Sequence, residues 1–399
     1  MTRVYVGMSG GVDSSLTAAL LVEQGYDVTG VYMKNWTQDL PGMKCPWADD
    51  LADAKRVAVQ LGIDFKVFDF ETEYRDKVVR YMIDEYEHGR TPNPDIMCNQ
   101  EVKFKLFLET ALEDGADMIA TGHYARVTHA EGAEPFTGAL ASPDDLASSS
   151  HLSKDCLSDA SSTADSNGKV NLSRRETMAS ENSFAREGYL LQARDTNKDQ
   201  TYFLYRVTAG ALARTLFPLG EYTKPEVRKM AEARGLFTAA KKDSQGICFV
   251  GKIGIREFLS QYVKTTPGLV IDKKSGHKLG THDGAIFYTL GQRHGLDIGG
   301  GLPYYVVGKD MAKNEVYVTT DLNDDALWKQ SIELANIHWV NGEPKDGDYQ
   351  IRVRHRAPLV PATLTGSTLH LSQAERATTA GQSVVIYDGD VCLGGGIVV

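Results

Sequence analysis

The first 130 positions switch repeatedly between two hydrophobic periods. A Val/Tyr-rich run at 3–7 reads as a strand, 14–24 carries apolar residues three and four apart and stops at Gly25, and 27–33 is strand-like again. Residues 48–61 have helical spacing and end at Gly62, 65–70 is strand-like, and 71–88 reads as a long amphipathic helix. A helix at 101–114 and a strand at 117–121 repeat the unit. Strands alternating with helices of this length predict an α/β class, a Rossmann-like doubly wound parallel sheet covered on both faces.

The pattern lapses from 131 to 187, where Ser, Ala and Asp dominate without periodicity, including Cys156. Such a stretch buries too little apolar surface to offset its ordering entropy and reads as an exposed, disordered insertion. A strand at 189–193 and a helix start within 199–207 resume the regular structure. At 223–234 Thr223 caps, Pro225 sits in the first turn, Glu226 completes a capping box and Gly235 follows the end. Beyond 254 the helical signals thin out. Short strands at 285–290, 304–307, 315–319, 349–354 and 383–387 predict a small central domain and then a barrel. The expected boundaries are 1–253 (with 131–187 inserted), 254–320 and 321–399.

The 399 residues carry 43 Lys and Arg against 53 Asp and Glu, a net charge of −10. Net acidity argues against a polyanionic partner, but the distribution changes the picture. Residues 1–130 hold 13 basic and 21 acidic side chains, while 188–300 hold 17 basic and 10 acidic, so one region could hold a polyanion and another not. The five cysteines, Cys45, Cys98, Cys156, Cys248 and Cys392, are scattered and have no zinc-ligand spacing, which fits a reducing compartment. No run of about 18 apolar residues occurs and no leader is evident, so a soluble cytoplasmic protein is expected.

Three segments carry chemistry. Ser9-Gly10-Gly11-Val12-Asp13-Ser14-Ser15 follows the first strand and opens the first helix. Successive amides of a Gly-rich turn backed by a helix N-terminus form an anion nest, and the hydroxyls add donors, so phosphate fits. The motif lacks both the GK[ST] ending and the GxGxxG spacing of other nucleotide loops. The second segment runs from Gly89 to Asn99 with Pro92 and Pro94, which stiffen an extended loop presenting Asp95 and Cys98 ahead of a helix near Glu101. A thiol at a helix N-terminus is favoured as thiolate. In the third, Lys241-Lys242-Asp243-Ser244-Gln245-Gly246-Ile247-Cys248, neighbouring lysines favour a second thiolate, and two such thiols allow sulfur exchange. The triplets Gly299-Gly300-Gly301 and Gly394-Gly395-Gly396 read as turns and close backbone packing, not nucleotide cradles.

The first segment resembles the pyrophosphate loop of the ATP-pyrophosphatase (PP-loop) superfamily, whose members adenylate a carbonyl oxygen. Taken with 89–99, Met33 to Trp36, Thr121 to Tyr124, 195–204, Phe217 to Gly220, 241–249, 288–295, Gly381 to Ser383 and 392–396, the chain resembles the tRNA-specific 2-thiouridylases over nearly its whole length. That resemblance implies ATP-dependent replacement of oxygen by sulfur at C2 of the wobble uridine of tRNA, typically the Lys, Glu and Gln acceptors. It implies ATP at Gly7, Met8, Ser9, Gly10, Gly11, Val12, Asp13, Ser14, Met33 and Gly122, with Mg²⁺ sharing the phosphate charge and no protein side chain assigned to the metal. The flipped base would meet Asn93, Pro94 and Asp95. His123, Lys198, Asp199, Gln200, Arg354, His355 and Gln382 would lie at tRNA contacts.

By the same resemblance Cys248 would carry a persulfide and Cys98 would be the partner nucleophile, the two closing a disulfide after transfer. Asp95 is the candidate for proton transfer at the base. The sulfur would come from a persulfide donor, a cysteine desulfurase or a sulfur-relay protein. Two departures stand out: the insertion is longer than the resemblance leads one to expect, and His355 replaces the Tyr that usually follows the Arg aligned with Arg354. An adenylating ligase using ammonia or an amino acid, and a tRNA-binding protein with a dead nucleotide loop, are the competing readings.

Overall fold

The computed structural model describes residues 1–39, 45, 47–129, 188–242, 254–296, 298–299 and 301–399. The inserted stretch 131–187 and the segment 243–253, with Cys156 and Cys248, lie outside the described residues.

In the N-terminal unit β1 (Arg3–Gly7) leads into α1 (Val12–Glu23), followed by β2 (Asp27–Lys34), α2 (Trp47–Leu61) and β3 (Asp64–Asp69). Next come α3 (Glu71–Tyr74) and α4 (Arg80–Glu87), joined by wide turns at Arg75–Val79, where the long amphipathic helix was expected. A second long helical stretch comprises α5 (Pro94–Met97), wide turns at Cys98–Leu106 and α6 (Phe107–Glu113). Then follow β4 (Met118–Thr121), β5 (Arg126–His129), β6 (Gly188–Leu191), α7 (Thr201–Leu204), α8 (Ala209–Leu212), β7 (Thr215–Leu216) and α9 (Lys224–Ala233). Strands β3-β2-β1-β4-β7 form a parallel sheet, as the alternating pattern predicts. Its faces are packed by two apolar clusters, one around Val4, Val6, Ala18 and Val57, the other around Val31, Tyr74, Phe107 and Ile119. The strand order reverses between β1 and β4, so the crevice for a ligand opens where those two strands end, at Gly7 and Thr121.

The middle of the chain adds α10 (Ile255–Leu259), β8 (Gly268–Asp272), β9 (Lys278–His282), β10 (Tyr305–Asp310) and β11 (Glu315–Thr319), with sheet order β10-β11-β8-β9. The strand expected at 285–290 is instead a short 3₁₀ turn, Ala285–Phe287. Asn314 Oδ1 accepts from the Ala285 amide at 2.9 Å, taking the donor a strand ladder would need.

The C-terminal strands β12 (Trp328–Trp339), β13 (Gly347–Arg352), β14 (Val360–Thr365), β15 (Thr368–Arg376), β16 (Ser383–Asp388) and β17 (Val391–Val398) close a six-stranded barrel through β12–β17 pairing. At that seam a side chain on Gly394 would lie 2.1 Å from the His338 carbonyl, and on the other side of β17 one on Gly395 would lie 2.2 Å from the Val384 carbonyl of β16. The glycine triplet is close backbone packing inside a strand, not a turn. The antiparallel β5–β6 pair of the N-terminal unit extends this sheet through the pairing of Leu191 with Val391.

Candidate active site

The Gly-rich segment turns between β1 and α1 at the crevice. Gly10 takes φ +72°, and the Ser14 hydroxyl closes the turn, accepting from the Ser9 amide at 3.1 Å and donating to the Gly11 carbonyl at 3.2 Å. Ser15 also donates to that carbonyl, at 2.7 Å. Gly11 caps α1 without a side-chain hydrogen bond, which leaves the first-turn amides to an anion. Ser9 is exposed at the tip, whereas Met8, Val12 and Ser14 are buried, so Met8 and Val12 offer backbone only. Met33 and Phe107 flank Gly7, and Gly122 packs so tightly that a side chain on it would meet the Asp13 and Ser14 backbone at 2.9 Å. All the residues expected at ATP therefore surround one loop, and its donors fit a polyphosphate. Among the described residues no cluster of three metal-ligating side chains occurs.

The thiol loop departs from expectation. Helix begins at Pro94, not near Glu101, because Asn93 caps it by accepting from the Asp95 amide at 3.1 Å and Pro94 occupies the first turn, where no amide is needed. Asp95 and Cys98 thus lie inside helix. Cys98 opens the wide-turn stretch, the kind of helical irregularity often found at functional sites, and is buried in the apolar cluster with Ile96, Val102 and Phe104. Burial raises the Asp95 pKa, opposed in part by the charge of Lys103.

His123 links the two. It follows Gly122, its Nδ1 lies 2.8 Å from Thr121 Oγ1, and its ring packs against Phe104 (5.6 Å between centroids) on the Cys98 stretch and against Phe217 (6.2 Å). Burial, aided by the Lys103 charge, drives its pKa well below 6.5 and keeps it neutral.

The barrel supplies the far wall. Asn99 Nδ2 donates to the Phe203 carbonyl at 3.0 Å, and the Phe203 ring sits 4.4 Å from that of His355. Burial, then the charges of Arg356, Arg352 and Lys198, lower the His355 pKa to about 4. Gln382 follows Gly381, where a side chain would strike Arg90 and Thr91 at 2.8 Å, so the barrel's 377–382 turn seats on the loop leading to Asn93. The Thr91 amide donates to the Ala380 carbonyl at 2.9 Å, and Thr91 Oγ1 lies 3.3 Å from Thr289 Oγ1 in the middle domain. Arg354 is exposed. Asp199 is 1% exposed: its carboxylate accepts from the Ala193 amide, the Thr201 hydroxyl and Arg352 Nη1 at 2.7–2.9 Å, while Gln200 Oε1 accepts from the Tyr124 amide. Buried atoms without a hydrogen-bond partner include Gln382 Oε1, His355 Nδ1 and Asn99 Oδ1.

Comparison with known proteins bears on this arrangement. A family profile described as tRNA methyl transferase HUP domain matches residues 2–155 and 174–252, a tRNA methyl transferase PRC-barrel domain profile matches 256–320, and an aminomethyltransferase beta-barrel domain profile matches 329–398. The tRNA-specific 2-thiouridylase MnmA of Bacillus thuringiensis (strain Al Hakam) is 42% identical over 402 residues, 99% of this chain and 94% of that protein. The chain belongs to the tRNA-specific 2-thiouridylase family. The family's MnmA of Halalkalibacterium halodurans is likewise 42% identical, over all of this chain and 94% of its own length. Among solved structures, the U34-tRNA thiolase NcsA of Methanococcus maripaludis with its 4Fe–4S cluster aligns at 15% identity and a TM-score of 0.33, covering 65% of this chain and 62% of that one.

For this thiouridylase-family chain, Cys248 lies outside the described residues, and with it the expected Cys98–Cys248 pair. Just before that segment, Lys241 Nζ donates to Asp50 Oδ1 (2.9 Å) and Asp53 Oδ2 (2.6 Å) on α2, whose Asp50 carbonyl adjoins Gly10; Lys242 is exposed. Cys45 and Cys392 are buried, and burial raises both thiol pKa values. Sequence reasoning missed Lys224, which reaches Asp13 from α9, and Arg352, the partner of Asp199. Both contacts join residues more than 150 positions apart, and periodicity carries no trace of them.

Proposed function

We propose that the protein is an ATP-dependent tRNA-uridine 2-sulfurtransferase acting in the cytoplasm on the wobble uridine of tRNA, the Lys, Glu and Gln acceptors foremost. The observation that carries this reading is the 121–124 turn: Gly122 packs on the phosphate loop while His123 packs on the Cys98 stretch, so one short segment couples a nucleotide site to a thiol. Kinship with thiouridylases over the full length supports it. The extruded uridine lies between Asn93-Pro94-Asp95 and the loop, and its O2 attacks the α-phosphorus of ATP. Pyrophosphate leaves against the amides of the Ser9 to Ser14 turn, with Mg²⁺ sharing its charge.

The terminal sulfur of a Cys248 persulfide, loaded by a cysteine desulfurase or relay protein, then adds to C2, and AMP departs with the old oxygen. Attack by Cys98 on Cys248 frees the sulfur and leaves a Cys98–Cys248 disulfide, which an external thiol reduces. Asp95, raised in pKa, moves the proton at the base. Arg354, His355, Lys198, Gln200 and Gln382 line the tRNA side, and Asp199 holds that wall in place from inside.

The test is incubation with ATP, Mg²⁺, a persulfide donor and unmodified tRNA, followed by mass analysis of the wobble nucleoside. The expected result is 2-thiouridine, reduced roughly a thousandfold or more by Cys98→Ser or Cys248→Ser. Product formation that survives both serines together would favour the ammonia-using ligase, and tRNA binding without ATP turnover would favour the binding protein.

A further inference from the structure

Asp13 stands in the first turn of α1, inside the phosphate loop. A carboxylate is favourable to the helix dipole there but repels a triphosphate arriving at the same amides. The structure resolves this conflict with groups from two distant segments. Lys224 Nζ donates to both carboxylate oxygens, at 2.7 and 2.8 Å, and Tyr124 Oη donates to Oδ1 at 2.8 Å. The lysine is anchored at both ends. Its amide donates to Asp195 Oδ2 at 2.8 Å, its stem is buried, and its ammonium lies 5.8 Å from the centre of the Tyr124 ring.

We propose that Lys224 is a positioning residue for nucleotide binding: it neutralises Asp13 and, with Tyr124, fixes the carboxylate, so that the loop receives the ATP phosphates without like-charge repulsion. The inference rests on the reading of the 9–15 turn as an ATP site. It assigns a role to the start of α9, whose helix signals alone were legible in the sequence. Lys224→Met keeps the buried stem and removes the charge, leaving Asp13 unneutralised by this partner beside the phosphates. A role in packing alone would make the variant's defect independent of what stands at position 13.

The experiment is calorimetric titration of the full chain with ATP and Mg²⁺, for the wild type, Lys224→Met, Lys224→Arg and the double variant Asp13→Asn/Lys224→Met, with thermal melts to verify folding. Lys224→Met is expected to weaken ATP binding by about tenfold or more, Lys224→Arg to remain near the wild type, and Asp13→Asn in the double variant to restore much of the loss. Unchanged binding by folded Lys224→Met, or a double variant no better than the single one, overturns the proposal. Failure of the wild type to bind ATP would instead overturn the nucleotide reading itself, and this inference with it.

Discussion

At the residue scale, the helix starting at Pro94 gives Asp95 two opposed demands. Burial favours its neutral form, so the folded chain holds the proton more tightly than the unfolded one, whose carboxyl titrates near 3.8. The contribution of Asp95 to stability is therefore fully present below that value and declines as pH rises through the higher folded pKa. Asp95→Asn is expected to raise Tm at pH 7, and the gain should vanish in melts below about pH 3.8. The same change should slow thiolation by roughly a hundredfold or more if Asp95 moves the proton. A variant that gained stability and kept full activity would remove Asp95 from the chemistry. His123 obeys the opposite rule: it is held neutral, so its site loses stability as pH falls below 6.5, and in the working range it offers a stack and a hydrogen bond, not a charge.

At the element scale, the capped start of α9 and the strands β1 to β4 follow from spacing and cap chemistry, since those are local. Glu226 reaches back to the Thr223 amide at 2.7 Å as the sequence predicts. The Cys98 helix starts earlier than its prolines suggested, because Pro94 can lie inside a first turn as easily as before it, and only the Asn93 cap decides. Close approach between elements leaves less trace. Gly122→Ala would press a methyl into the Asp13 and Ser14 backbone, which cannot yield as a side-chain tip would. It is expected to cost about 1–3 kcal/mol in denaturant melts and to weaken ATP binding. Gly210→Ala, in α8 with open space around it, is the control and should be neutral or slightly stabilising.

At the scale of the whole molecule, three bodies meet at Thr91, whose amide bonds the barrel and whose hydroxyl faces the middle domain. The buried Asp199–Arg352 pair joins the N-terminal unit to the barrel behind them, at 2.7 Å with side chains 0% and 7% exposed. Removing one partner strands the other charge in the interior. Asp199→Leu or Arg352→Met alone should therefore destabilise by about 3–5 kcal/mol, whereas the double variant should lose distinctly less, as read by chemical denaturation. Equal losses in all three would mean the pair is not coupled.

Strand and helix periods, caps and Gly-rich turns are written in neighbouring residues, so the parallel sheet, the barrel-like remainder and the Gly-rich turn between β1 and α1 were legible from the order of residues. Only the tertiary structure decided that Gly122 and His123 bridge the loop to the Cys98 stretch, that Lys224 and Tyr124 hold Asp13, and that Asp199 is an internal strut. Those facts depend on residues far apart in the chain being brought within hydrogen-bonding or van der Waals reach, and desolvation and pairing there follow from the enclosure, not from the order of the letters.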